Sequence, residues 1–327
     1  MKKQDEKKAR LSLLDRLLGK PEISKTAGIS YTVAVLLPAV LSFALIVVLS
    51  AFGLTGTEGT IAVGNKNADW YLYVSYLLPQ LAFALVAAFA LRYQGQSPLE
   101  ELKNQKCKPK YFIWAVVLQI GLIGLAQLNT LFLEFLSRFG YETSGVEIPS
   151  MNGIRFLFVL IVIGVLPAVF EETMFRGLLL NGLHSFGTVG AVLICGGLFS
   201  LYHQNPAQTI YQFCCGAAYA LLAIRAGSIF PTVLAHFCNN AFILVLTKFQ
   251  VTELTLPIMI AVFSVSGVCL TVSLIYLIFM DKSATEQNKT PTDEKEKKTQ
   301  RKNFFVFAGA GVLICALTWF SVLFMGM

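Results

Sequence analysis

Charge is scarce in this sequence. Asp, Glu, Lys and Arg make up 14% of its 327 residues, where a soluble domain carries about 25%. That excludes a water-soluble fold. The 55% of hydrophobic residues and the mean hydropathy of +0.65 place the chain among integral membrane proteins. Its seven cysteines include no CxxC pair. Most lie inside apolar runs, so they read as small buried hydrophobes, implying neither a disulfide framework nor a zinc knuckle. There is no HExxH pattern and no repeat at solenoid or transporter scale.

What the chain does have is apolar sequence. Nine stretches are candidates to cross ~30 Å of hydrocarbon: residues 28–54, 70–92, 111–136, 153–175, 187–204, 207–225, 229–247, 254–280 and 304–326. The fifth and sixth are the weakest, being short and interrupted by Gly, His, Asn and Pro. A backbone in lipid must satisfy its own hydrogen bonds, so helices are the default. The expected fold class is all-α, a polytopic membrane helix bundle with an eight-helix core and a ninth C-terminal span.

The net charge of +7 is a topology signal and not a nucleic-acid face. Residues 1–26 hold eight Lys/Arg, 92–110 five and 281–303 seven, while 55–69 and 137–152 hold one each. The positive-inside rule then puts the N-terminus in the cytoplasm and, after nine spans, the C-terminus outside. The first apolar core is far longer than the ~7–15 residues of a secretory signal, so an uncleaved anchor is expected, in the plasma membrane. Residues 9–18 alternate basic residues with leucines and suit the inner leaflet. The expected organisation is a basic cytoplasmic segment (1–26), a three-span scaffold (27–152), a catalytic core of spans four to seven (153–250) and an eighth span (251–281). A disordered charged linker (282–303) then leads to the ninth span (304–327), an appendage to the core.

Intramembrane polarity concentrates between 167 and 240. Glu171 and Glu172 sit side by side in an apolar run. Acids at membrane depth are expensive and mark a functional site by default. On a helix, neighbours diverge by about 100° while residues four apart share a face. Glu172 and Arg176 can therefore form an in-helix ion pair. Glu171 points elsewhere and is free to take a proton from water. Phe199 shares a face with His203, and His236 with Asn240. A histidine can bind a metal, shuttle a proton or donate to an oxyanion, and an asparagine amide beside it suits an oxyanion site. Structural alternatives exist for each: a packing ion pair, a helix-end histidine at the Gln204-Asn205-Pro206 turn, and an interhelical hydrogen-bond clasp. His184 reads as an exposed loop residue. If the fifth span begins at 187, His203 lies deeper than the other polar residues. Convergence then requires a tilted or later-starting fifth helix, or a water-filled cavity.

The ordered set EExxxR (Glu171, Glu172, Arg176), FxxxH (Phe199, His203) and HxxxN (His236, Asn240) resembles the three motifs of the CAAX-protease and bacteriocin-processing family of polytopic intramembrane proteases. The resemblance covers residues 167–241. It implies a protease-like core in which Glu171 and His203 activate water while His236 and Asn240 bind the oxyanion. The expected function is an intramembrane endopeptidase acting on a membrane-associated or lipidated peptide or protein substrate, embedded in the lipid bilayer, with no cofactor and no nucleic-acid partner. Two alternatives stand beside it. One is a zinc-dependent version with Glu171, His203 and His236 as ligands, two His and one Glu matching a catalytic zinc set in number. The other is a non-catalytic membrane immunity or binding protein. A proton-relaying secondary transporter is disfavoured, because the charges cluster on one half of the chain and no paired broken helices are visible.

Overall fold

The computed structural model describes residues 21–52, 69–95, 106–143, 147–251, 254–281 and 293–327. Among them there is no strand, and nine helices are long and apolar enough to span a membrane. They are α1 (Ile23–Ala51), α2 (Asp69–Tyr93), α3 (Lys110–Ser137), α4 (Arg155–Gly182), α5 (Gly187–Tyr202), α6 (Thr209–Ala226), α7 (Phe230–Lys248), α8 (Leu256–Met280) and α9 (Glu294–Met325). The all-α membrane bundle expected from the apolar runs is what forms. The basic block 9–18 lies outside the described residues.

The interior is set by small residues and one aromatic hub. At the crossing of α5 and α6, a Cβ on Gly216 would meet the Gly196 Cα at 2.9 Å. Only glycine lets the two backbones come this close, as is common at helix contacts in membranes. Phe175 on α4 is fully buried. Its ring meets Phe83 of α2 at 6.1 Å, Tyr31 of α1 at 6.5 Å, and Phe199 and Tyr202 of α5 at 5.0 and 5.7 Å, all edge to face. This geometry suits the quadrupoles of aromatic rings. One residue of α4 thereby ties α1, α2 and α5 to the turn that carries Arg176.

Two expectations need revision. Residues 294–303, assigned to a disordered linker, are the first turns of α9. Asp293 caps that helix, its side chain accepting from the Lys295 N–H at 3.4 Å. Glu294 and Glu296 lie in the first turn, where the helix dipole favours acids, and Glu294 pairs with Lys297 at 2.7 Å. A charge-rich stretch with a cap and acids at its head is a helix start rather than a linker. Residues 282–292 lie outside the described residues. Nor is α9 an appendage. It lies along α1, where a Cβ on Gly311 would come within 2.9 Å of the Thr32 Cα and the Thr32 hydroxyl donates to the Phe307 carbonyl at 2.6 Å.

The fourth helix runs to Gly182, past the expected end at 175, and alternates α and π turns: π over Leu160–Val165, α over Leu166–Glu172, π over Thr173–Leu179. Single π turns inside α-helices mark functional segments often enough to draw attention to α4.

Candidate active site

The two glutamates end the short α turn between the π turns of α4, and both are buried. Oε1 of Glu172 accepts from Arg176 at 2.7 Å, the in-helix pair that the spacing suggests. The same oxygen also takes Nδ1 of His236 on α7 at 2.8 Å. Glu172 is therefore not reserved for the arginine. Glu171 faces the opposite edge of the same imidazole, its Oε2 lying 3.9 Å from Nε2. His236 thus stands between the two carboxylates, one at each ring nitrogen.

Both terminal nitrogens of Arg176 are engaged. It donates to the Gly216 carbonyl at 3.1 Å, and its guanidinium lies 4.5 Å from the Phe199 ring centre and 5.3 Å from that of Tyr219. Desolvated cation–π contacts of this kind are favourable. The close α5–α6 approach at Gly196 and Gly216 brings that carbonyl and the Phe199 ring to one place.

The FxxxH spacing has a local physical cause. Helix α5 stops at Tyr202, and the backbone N–H of His203 turns to Ser200 at 3.2 Å. The Phe199 carbonyl is then one of the unpaired acceptors at a helix C-terminus, and His203 Nδ1 fills it at 2.8 Å. Because a carbonyl only accepts, Nδ1 carries the proton and Nε2 is left for other chemistry. Nδ1 of His236 is likewise spent on an acceptor, so both histidines offer Nε2. The Phe199 ring touches both, at 4.9 Å from the His203 ring and 6.0 Å from that of His236. The helix does begin at 187, so convergence does not come from a later start.

Asn240 is placed differently from the rest. Pro167 has no N–H to give the Ile163 carbonyl four residues earlier, and Nδ2 of Asn240 donates to that carbonyl at 3.2 Å. Its Oδ1 accepts from Asn239 at 3.2 Å. The structure therefore brings together Glu171, Glu172, Arg176, His236 and, through Phe199, His203, while Asn240 points its amide at the proline-broken turn of α4. His184 is exposed, as expected.

Several polar residues around the site escaped the sequence reading. Gln80 on α2 donates to Glu171 Oε1 at 3.5 Å. Gln119 on α3 donates to Asn239 at 3.0 Å and accepts from Tyr219, and Tyr211 donates to Asn239 at 2.7 Å. The available signal was an amide within an apolar run, which passes for an isolated residue until the helices pack. On α9, Trp319 donates to Thr209 Oγ1 at 2.8 Å, and that hydroxyl donates to the Asn205 carbonyl at 3.1 Å. This bridge braces the turn just after His203, where Gln204 adopts the left-handed φ of 52°.

For zinc, Glu171 Oε2 and His236 Nε2 are close enough to share an ion. No third His, Cys, Asp or Glu stands with them in a metal-holding arrangement among the described residues. His203 does not join them as the three-ligand set requires.

The comparisons with known proteins fall on the same segment. Residues 153–242 match the family model Rce1-like, described as type II CAAX prenyl endopeptidase Rce1-like. The match contains α4 from its first turn to its end, α5, α6 and most of α7, and with them all seven motif residues. No curated protein and no solved structure matches the chain.

Proposed function

From the premise that residues 153–242 carry the type II CAAX prenyl endopeptidase family, we propose that the protein is an intramembrane endopeptidase cleaving a membrane-associated or lipidated peptide by attack of water, with Glu171 as the base. The observation that supports this best is the imidazole of His236 set between Glu172 at 2.8 Å and Glu171 at 3.9 Å. Glu171 Oε2 is buried and has no hydrogen-bond partner among the described residues, which is the state of an acceptor ready for a water proton.

The reaction is a hydrolysis. Glu171, with Nε2 of His203 as the second acceptor, takes a proton from water as its oxygen bonds to the scissile carbonyl carbon. The developing oxyanion is stabilised by a hydrogen-bond donor, the role assigned to Nε2 of His236 when it carries a proton. Glu172 holds the ring by Nδ1 and Arg176 holds Glu172, so the imidazole cannot rotate away. Collapse of the intermediate breaks the C–N bond, and the proton taken from water passes to the leaving amine. In this reading Asn240 acts through the backbone of α4, keeping the glutamate turn in register. The domain division, with catalysis in 153–250, is part of the same proposal.

The test is comparative mass spectrometry of membrane peptides from cells carrying the wild-type chain or Glu171→Ala. A product present in the first and missing in the second names the substrate and the bond. Identical peptide pools with both proteins equally expressed would sink the proposal, and so would a biological effect that survives Glu171→Ala.

A further inference from the structure

We infer that Gln80, on α2 and outside the family segment, is a positioning residue that fixes the rotation of the Glu171 carboxylate. The inference rests on the proposed role of Glu171, and its test is chosen to stand apart from that role.

Gln80 is 6% exposed in the apolar run Leu77-Leu78-Pro79-Gln80-Leu81-Ala82-Phe83. A buried amide without a partner is costly, and in lipid no water relieves it. Its one hydrogen bond among the described residues runs from Nε2 to Glu171 Oε1, at 3.5 Å. Its Oε1 is buried and has no partner there. The amide is thus placed for Glu171 and for little else.

The consequence is a division of labour between the two oxygens of one carboxylate. Oε1 is tethered to α2. Oε2 is turned to Nε2 of His236 at 3.9 Å and has no hydrogen bond of its own among the described residues. Without the tether the carboxylate is free to turn about its last side-chain bond, and either oxygen can face the imidazole. The α2 helix is in turn locked to α4 by Phe83 against Phe175 at 6.1 Å, one helical turn from Gln80. The tether therefore hangs from a rigid point, as a supporting contact must if it is to orient a reactive group.

The experiment uses the full chain in proteoliposomes. Infrared difference spectra against Glu171→Gln identify the carboxylate stretch of Glu171, and this readout needs no substrate. Gln80→Leu keeps the volume and removes the donor. The Glu171 band is expected to move in Gln80→Leu, and kcat for a quenched farnesylated CAAX peptide is expected to fall by about tenfold with KM unchanged, in line with the cost of small misplacement of a reacting group. If Gln80→Leu does not fold, Gln80→Asn, which draws the amide back by one carbon, carries the same prediction. A Glu171 band unmoved in the folded variant overturns the inference, whatever the activity. A wild-type chain that cleaves nothing counts against the proposed function instead, and the band still decides the role of Gln80.

Discussion

The segment 153–242 and the helices around it contribute polar residues of different kinds. Inside the segment a cluster of ionisable side chains meets directly: Glu172 with Arg176 and His236, and Glu171 with His236. Around that cluster, neutral amides, an indole and a hydroxyl reach in from α1, α2, α3 and α9. The first group can move protons. The second can only orient. In the proposed reading the proton chemistry stays on four consecutive helices and the flanks add positioning to that supplied by Glu172, Arg176 and Asn240; the family match to less than a third of the chain contains every motif residue.

This contrast can be broken in several places. The largest structural effect is expected for Glu172→Gln, which leaves Arg176 buried with the Gly216 carbonyl but without its counter-charge. Removing one partner of a buried pair typically costs about 3–5 kcal/mol. The thermal unfolding midpoint in detergent should fall sharply, and an unchanged midpoint would show that the guanidinium is neutralised elsewhere. Next comes Gly216→Val. A side chain at the α5–α6 crossing has to displace Gly196, and overpacking of this kind costs about 1–3 kcal/mol. Since Gly216 also supplies the carbonyl to Arg176, activity should fall with stability.

Asn240→Ala sharpens the comparison within the segment. Losing the cap on the Ile163 carbonyl should cost about 1–2 kcal/mol, the penalty for a stranded acceptor. If Asn240 acts through the backbone of α4, kcat falls along with the unfolding midpoint. If it binds the oxyanion directly, kcat falls by about a hundredfold or more with the midpoint nearly unmoved. The smallest effect is expected from a flanking helix. Trp319→Phe removes one hydrogen bond to Thr209 and should cost about 1 kcal/mol, with a modest loss of kcat because the turn after His203 loosens. A loss as deep as that of Glu171→Gln would end the division between chemistry and positioning.

Much of this was legible in the residues and some was not. Nine apolar runs specify nine helices because lipid leaves a backbone no alternative, and the boundaries fall within a few residues except at the fourth and ninth. The fourth continues because π turns carry it past Phe175. The ninth begins early because Asp293 and the acids after it cap a helix. The pairing of Glu172 with Arg176 follows from spacing alone. Its second bond, to His236, joins residues 64 apart in sequence, and no local periodicity reports that. Glu172 thus has a partner beyond Arg176, and both glutamates address the same imidazole. Gln80 and Gln119 were invisible for the same reason: an amide in an apolar run declares a partner but not which one. Asn240 shows the reverse case. Its motif partner, four residues back, is His236, yet its amide goes to a carbonyl stranded by Pro167 on another helix.

The central claim is that Glu171 takes the proton from water while Glu172 holds His236. It is tested most directly by comparing Glu171→Gln with wild type in purified, folded protein, following cleavage of a farnesylated CAAX peptide by mass spectrometry. The account predicts an unfolding midpoint within about a degree of wild type and a fall in kcat of about 10²–10⁴-fold, the usual contribution of a general base. Turnover at the wild-type rate by folded Glu171→Gln would contradict it.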